Sequence, residues 1–193
     1  MTTHDPATLI NGVPHYSIHK VENLDEFLVS LASSDDHWMF VSSRGALTAG
    51  RRNPDSALFP YDTVDKVFDQ RGASGPKISF RLDDSAVAAW EPLADHTLLH
   101  WKVTRSLYKD RWSTRLVFEE ENLDLGLRFR LSWSFSRQSG FVAKLSLKNQ
   151  GRATRTLKTV YGFSNLMSSG ITRQLQSLFS CLTDSYKQNT LET

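Results

Sequence analysis

This sequence of 193 residues has a single cysteine, almost no excess of one charge over the other and no long apolar run. Each of these features argues against a class of protein. Cys181 is the single cysteine, so no disulfide can form within the chain. The 23 basic and 21 acidic residues leave a formal charge of only +2, which does not indicate binding to nucleic acid or to an anionic membrane. No run approaches the roughly 18 apolar residues that a membrane-spanning helix needs.

The first ten residues lack the basic stretch and apolar run that are typical of a secretory signal peptide. We therefore expect a cytoplasmic protein that acts neither in a membrane nor on nucleic acid. The length suffices for one domain with a hydrophobic core and a short extension. The 11 Phe and 5 Trp residues favour β-strands, because pleated, half-buried surfaces accommodate large rings.

Alternation of apolar and polar residues predicts antiparallel strands in the second half of the chain. The clearest pattern spans residues 125–135, where Leu, Phe and Trp alternate with Gly, Arg and Ser. Residues 77–82 and 141–147 alternate in the same way, and residues 157–163 are the next predicted strand. Brief polar turns separate the segments 125–135, 141–147 and 157–163. Short strands without intervening helices predict a mainly β protein, an antiparallel β-sandwich.

The remaining segments give weaker patterns. We expect strands at 38–41, 97–108 and 112–119, with a turn at residues 109 and 110. The acidic run 119–124 is typical of a hairpin turn. Residues 42–76 contain seven Gly and Pro residues, which predict a long loop without regular structure.

A short helix is predicted near the N terminus, and a linker helix is predicted near the C terminus. Near the N terminus, Asn23 provides a cap for apolar residues spaced by three and four, namely Leu24, Phe27, Leu28 and Leu31. Near the C terminus, Ser169 or Thr172 provides the cap for a similar series, namely Ile171, Leu175, Leu178, Leu182 and Tyr186. The predicted organisation is a lead-in at 1–22, a β-sandwich domain at 23–167 and a C-terminal linker helix at 168–193.

Two loop segments invite a functional interpretation. Residues 42–52 are rich in glycine and arginine but fit neither the P-loop nor the dinucleotide fingerprint, so a structural turn is favoured. Residues 58–66 combine aromatic rings with carboxylates, a mixture that suits carbohydrate because rings stack on sugar faces and carboxylates accept hydroxyl hydrogen bonds. The alternative for this second segment is a packed Ω-type loop anchored by its own rings.

Catalytic and metal-binding patterns are weak. Glycosidase chemistry needs two carboxylates that face each other across a cleft, and spacing along the chain establishes no such pair. The histidine pairs 15/19 and 96/100 lack a third ligand, so we predict no metal site and no cofactor. Alternation places Trp133 on the opposite face from Arg128 and Arg130, which argues against a stacking platform for nucleic acid.

Two groups of segments resemble the N-terminal β-supersandwich domain of large bacterial carbohydrate-active proteins, similar to disaccharide phosphorylases and six-hairpin glycosidases. The first group comprises residues 36–40, 45–51, 58–61 and 65–66, and the second comprises residues 162–166, 174–176 and 184–187. The resemblance implies a galactose-mutarotase-like sandwich followed by a linker helix and a helical-barrel catalytic domain. Because the barrel carries the general acid, the resemblance implies no catalytic residue in this chain.

The resemblance implies a non-catalytic module that supports such a barrel and lines one side of a sugar site with residues 44–66. The residues expected to contact sugar or the barrel are Trp38, Arg51, Tyr61 and Asp65. Two alternatives remain open: a stand-alone carbohydrate-binding module with an exposed aromatic platform, and a structural domain that docks a partner through its C-terminal helix. Neither the substrate nor the choice between hydrolysis and phosphorolysis follows from these residues.

Overall fold

The computed structural model describes residues 8–69, 73–82, 89–94, 101–168 and 170–178. The strands are β1 (Thr8–Ile10), β2 (Val13–His19), β3 (Leu28–Ala32), β4 (His37–Ser42), β5 (Leu47–Arg51), β6 (Ala57–Phe59), β7 (Gly75–Leu82), β8 (Val103–Asp110), β9 (Leu116–Asn122), β10 (Leu127–Ser136), β11 (Gly140–Asn149) and β12 (Leu157–Ser164). The helical segments are α1 (Val64–Asp69), α2 (Arg173–Leu178) and 3₁₀ turns at Val21–Asn23 and Pro54–Ser56.

The strands form three antiparallel sheets, as the alternation predicts. The largest has six strands in the order β1-β2-β8-β9-β10-β11, the second has the order β3-β4-β5-β6, and the third pairs β12 with β7. One hydrophobic core takes side chains from all three sheets. The chain is therefore mainly β, with the layered arrangement of a β-sandwich.

β10 shows why its sequence folds as a half-buried strand. Its inward residues, from Leu127 to Trp133, are at most 2 % exposed. Its outward Arg128 and Arg130 form ion pairs with Glu121 and Glu119 of β9, respectively. The prediction that Trp133 and the two arginines lie on opposite faces is confirmed.

The predicted N-terminal helix over residues 24–31 is wrong, because Leu28–Ala32 is strand β3. β3 pairs with β4, and its buried residues Val29 and Leu31 alternate with exposed Ser30. A short helix does occur earlier, as the 3₁₀ turn Val21–Asn23. The predicted lead-in also contains regular structure, since β1 and β2 are part of the six-stranded sheet.

Two other expectations are corrected in the middle of the chain. The segment 42–76 is not a structureless loop, because it includes β5, β6, α1 and the start of β7. The acidic residues Glu119 to Glu121 lie within β9 rather than in a hairpin turn, and the turn to β10 follows Asn122. Long-range pairing overrides the local turn signals in both places.

The predicted C-terminal helix is observed over Arg173–Leu178, where Thr172 Oγ1 accepts a hydrogen bond from Leu175 N–H at 3.2 Å. The later part of that prediction, with Leu182 and Tyr186, lies outside the described residues, as does Cys181. No helix in the described part of the chain is long and apolar enough to cross a membrane.

Candidate functional site

A cavity of about 560 Å³ lies where the ends of β4 and β5 approach the β10–β11 turn. We call it the His37 cavity. Its lining residues are His37, Arg51, Asp55, Ser56, Ala57, Leu58, Ser139, Gly140, Phe141, Met167, Ser168, Gly170 and Ile171. The volume lies in the range that small-molecule sites commonly occupy.

The pairing of β4 with β5 places a histidine beside an arginine in this cavity. His37 lies directly opposite Arg51 in the ladder, so both side chains project from the same face of the sheet. His37 is buried, and its Nδ1 lies 3.1 Å from Ser33 Oγ in the β3–β4 turn. The ring of Phe141 contacts the imidazole edge to face, with centroids 5.3 Å apart.

The electrostatics of the cavity favour a neutral imidazole. Burial lowers the pKa of His37 below its ordinary 6.5, and the positive charge of Arg51 lowers that pKa further. Asp35 and Asp36 oppose the effect without reversing it. At neutral pH the His37 ring is therefore uncharged, with one nitrogen as donor and the other as acceptor.

Asp55 reaches the cavity from the 3₁₀ turn Pro54–Ser56. Asn53 caps this turn, since its Oδ1 accepts from Asp55 N–H at 3.1 Å, and Pro54 favours the first helical position. Asp55 Oδ1 accepts a hydrogen bond of 2.9 Å from the backbone N–H of Arg173. Asp55 therefore joins the cavity wall to the start of α2.

The lining offers a cation, one carboxylate, a neutral imidazole and several hydroxyl groups beside an aromatic ring. Such a mixture can donate to and accept from a polyhydroxylated ligand while the ring contacts an apolar face. The described lining residues do not include two facing carboxylates, the arrangement that glycoside hydrolysis needs. The described residues contain no group of three or more His, Cys, Asp or Glu side chains that could hold a metal ion.

The structure separates the described members of the predicted site, since Arg51 does not lie with Trp38 and Tyr61. Trp38 lies opposite Gly50 in the ladder, on the face of the sheet away from Arg51. Tyr61 packs edge to face on Trp38, with centroids 5.7 Å apart, and the guanidinium of Arg173 lies 5.5 Å from the Tyr61 ring centre. Of the three predicted site residues whose side chains the structure describes, Arg51 alone lines the His37 cavity.

The fourth predicted residue, Asp65, belongs to helix α1. Its side chain lies outside the described part of the structure, so its relation to the other three stays a prediction. The Trp38–Tyr61 contact is what the packed-loop alternative for residues 58–66 describes.

Glu120, a fully buried carboxylate, forms hydrogen bonds within the core and does not line the His37 cavity. Glu120 is inaccessible to solvent, and its Oε1 accepts from Trp90 Nε1–H at 2.8 Å. Its Oε2 accepts from the backbone N–H of Leu93 and from Arg105 Nε–H, each at 2.8 Å. This network ties β8, β9 and the segment around Trp90 together.

His15 and His19, the histidine pair that the structure describes, have separate hydrogen-bond partners. His15 is buried with its Nδ1 2.8 Å from Val13 O, whereas His19 Nδ1 lies 3.0 Å from Ser106 Oγ. His96 and His100 lie outside the described residues.

Sequence reasoning missed His37 and Asp55. The position of His37 follows from its register with Arg51, a pairing across the β4–β5 turn that no local motif announces. For Asp55 the sequence offers one clue: Asn53 and Pro54, which precede it, are typical of the start of a capped helical turn.

Comparison of the chain with protein-family models and with curated proteins gives no match in either case.

Proposed function

We propose that this chain is a non-catalytic β-sandwich module of a cytoplasmic carbohydrate-active protein, of the supersandwich type, and that the His37 cavity binds a saccharide. The observation that carries the proposal is the mixed lining of that cavity. Arg51 and Asp55 offer charged hydrogen-bonding groups, and Phe141 offers a ring in the same wall. A sugar presents the matching surface, with hydroxyl groups that both donate and accept around an apolar ring face.

The non-catalytic part of the proposal is supported by the state of the carboxylates. Among the described residues that line the His37 cavity, Asp55 is the one carboxylate. Glu120 and Glu119 are held by Arg105 and Arg130, respectively, so neither is available as a second acid. The proposed partner is a helical-barrel domain that carries the general acid, with α2 at the start of the connection to it.

The distribution of tryptophan favours this module over a stand-alone carbohydrate-binding module with a flat aromatic platform. Trp112, at 67 % exposure, is the one tryptophan that is mainly solvent-accessible. Trp90 and Trp133 are buried in the core, and Trp38 and Trp101 are half-buried. A flat platform needs several exposed rings side by side.

Titration calorimetry with a panel of mono- and disaccharides tests the binding part. We expect Arg51→Gln and Asp55→Asn each to weaken binding of the best saccharide at least tenfold. Arg52→Gln is the matched control, because Arg52 follows Arg51 directly but does not line the cavity. Equal affinity for wild type and Arg51→Gln would exclude the His37 cavity as the binding site.

Activity assays test the non-catalytic part separately. The 193-residue chain, incubated with an oligosaccharide panel in the presence and absence of inorganic phosphate, is expected to release neither sugar nor sugar phosphate. Measurable turnover by purified chain would contradict the proposal even if the cavity binds sugar.

A further inference from the structure

The six-stranded sheet ends at β11, and among the described residues no strand pairs with the outer edge of β11. The side chains that β11 directs toward the core are Phe141, Ala143, Leu145 and Leu147. All four are only partly buried, whereas the inward row of the neighbouring β10, from Leu127 to Trp133, is at most 2 % exposed. The apolar interior of the sandwich therefore meets solvent along this edge.

The backbone of β11 presents a regular row of hydrogen-bonding groups at the same edge. Gln150 N–H donates to Gly126 O at 2.9 Å, in the register of the β10–β11 hairpin. Because hydrogen-bonded and non-hydrogen-bonded pairs alternate in an antiparallel ladder, the even-numbered residues of β11 bond to β10. The odd-numbered, inward-facing residues consequently point their N–H and C=O groups away from the sheet.

An apolar cavity of about 280 Å³ lies beside the first half of β11. Its lining residues are Leu58, Phe59, Trp133, Phe141, Ala143, Tyr161, Phe163 and Leu166. Ala143 has the smallest side chain of the inward row, so the edge is open at that position. An inward side chain of a strand added there would enter this cavity.

The outward face of β11 is positively charged and therefore favours a negatively charged neighbouring strand. Lys144 and Lys148 are exposed on it, and β11 contains no acidic residue. The neighbouring Arg128 and Arg130 already pair with Glu121 and Glu119. A second copy of β11 would bring the same lysines to the junction, and like charges across a ladder destabilise it. Acidic residues at outward positions would instead be attracted.

We propose that β11 is a docking edge for an extended segment of another protein in which apolar and acidic residues alternate. The segment adds as a seventh strand, with main-chain hydrogen bonds to the odd-numbered residues of β11. Its apolar side chains cover the half-buried row and the cavity, and its acidic side chains face Lys144 and Lys148.

A fluorescein-labelled nine-residue peptide of alternating Glu and Val, measured by fluorescence anisotropy, tests the proposal. We expect Lys144→Glu with Lys148→Glu to weaken binding of this peptide at least tenfold. The same double variant should bind a peptide of alternating Lys and Val at least tenfold more tightly than wild type does. Lys20→Glu with Arg111→Glu, two exposed turn residues away from β11, is the control and should change either affinity by less than twofold.

A backbone variant separates strand addition from simple charge attraction. Ala143→Pro removes an N–H that points to the free edge and leaves the ladder to β10 intact, so the fold persists while peptide binding falls at least tenfold. Amide exchange should slow on peptide binding at Phe141, Leu145 and Leu147. No binding of the acidic peptide, unchanged affinity in Ala143→Pro, or a β11-mediated dimer in sedimentation would each overturn the proposal.

Discussion

The centre of the sandwich and the His37 cavity contain the same kinds of polar side chain in opposite states of hydrogen bonding. At the centre, both carboxylate oxygens of Glu120 are occupied by Trp90, Leu93 and Arg105. In the cavity, Asp55 receives a hydrogen bond at Oδ1, and Oδ2 has no partner among the described residues. A carboxylate near an arginine therefore indicates a binding site only where hydrogen-bonding capacity remains unused.

Removing one charge from each region should give the largest contrast. Glu120→Gln leaves the buried Arg105 without its counter-charge, so we expect the free energy of unfolding to fall by about 3–5 kcal/mol. Asp55→Asn, the matched substitution in the cavity wall, should cost roughly 0.5 kcal/mol or less because the site is solvent-accessible. Urea denaturation measures both. Equal losses for the two variants would remove the distinction between the regions.

Two directly paired leucines extend the comparison to the apolar core. Leu131 of β10 is fully buried, whereas Leu145, opposite it on β11, is half-buried at the open edge. We expect Leu131→Ala to lower the free energy of unfolding by roughly 2–5 kcal/mol. Leu145→Ala should cost about 1 kcal/mol, a typical value for a point mutation. A loss at Leu145 as large as that at Leu131 would show that the edge is covered in solution.

Gly50→Ala tests how tightly the side chain of Trp38 and the turn before β6 pack against β5. A Cβ at Gly50 would lie 2.6 Å from Trp38 Cζ2 and 2.8 Å from the backbone of Ser56 and Ala57. The backbone contacts cannot move away cheaply, so we expect a loss of about 1–3 kcal/mol in thermal or urea unfolding. Gly162→Ala is the control, since no atom of the described residues lies within 4 Å of its added Cβ. Equal stability of the two variants would contradict the close packing.

The smallest expected effect is on the protonation of His37. Burial and Arg51 lower the pKa of His37, so on acidification the unfolded chain binds this proton before the folded chain does. The contribution of His37 to stability is therefore complete above about pH 6.5 and falls below that pH until the folded His37 is also protonated. Urea unfolding at a series of pH values measures this effect. Below about pH 6.5 the free energy of unfolding should fall more steeply with decreasing pH in wild type than in His37→Gln.

The same pKa can be followed directly by NMR titration of the His37 ring. Arg51→Gln removes the positive charge and should raise the pKa of His37, whereas Arg52→Gln should leave it unchanged. An unaltered titration curve in Arg51→Gln would mean that burial alone lowers the pKa.

The part of the fold that sequence predicts well is the part with strict alternation. β7, β10 and β11 each alternate over most of their length, because one face packs on the core and the other is more exposed. The helix prediction for the residues of β3 is wrong because their apolar spacing fits both a helix and a strand. Pairing with β4 decides in favour of the strand. Gly50 suggested a loop, although it occurs within β5, where Trp38 and the β6 backbone exclude a side chain.

The candidate site was less predictable because its residues meet through register and turns. Arg51 was predicted for its charge, but its neighbour His37 follows from the β4–β5 ladder. Trp38 was predicted with Arg51, and alternation along β4 and β5 places the two on opposite faces. The β4–β5 register therefore decides both that His37 lies beside Arg51 and that Trp38 lies on the other face.

The pairing of β7 with β12 has a consequence for how the chain is made. Leu82 of β7 pairs with Leu157 of β12, so the partner strand follows about 75 residues later in the sequence. At a synthesis rate of about 5–20 residues per second, β7 waits several seconds on the ribosome before its ladder can form. During that time Ile78 and Phe80, buried in the finished core, lack part of their cover. Late-closing ladders of this kind form slowly and leave apolar surface open to aggregation until the partner strand arrives.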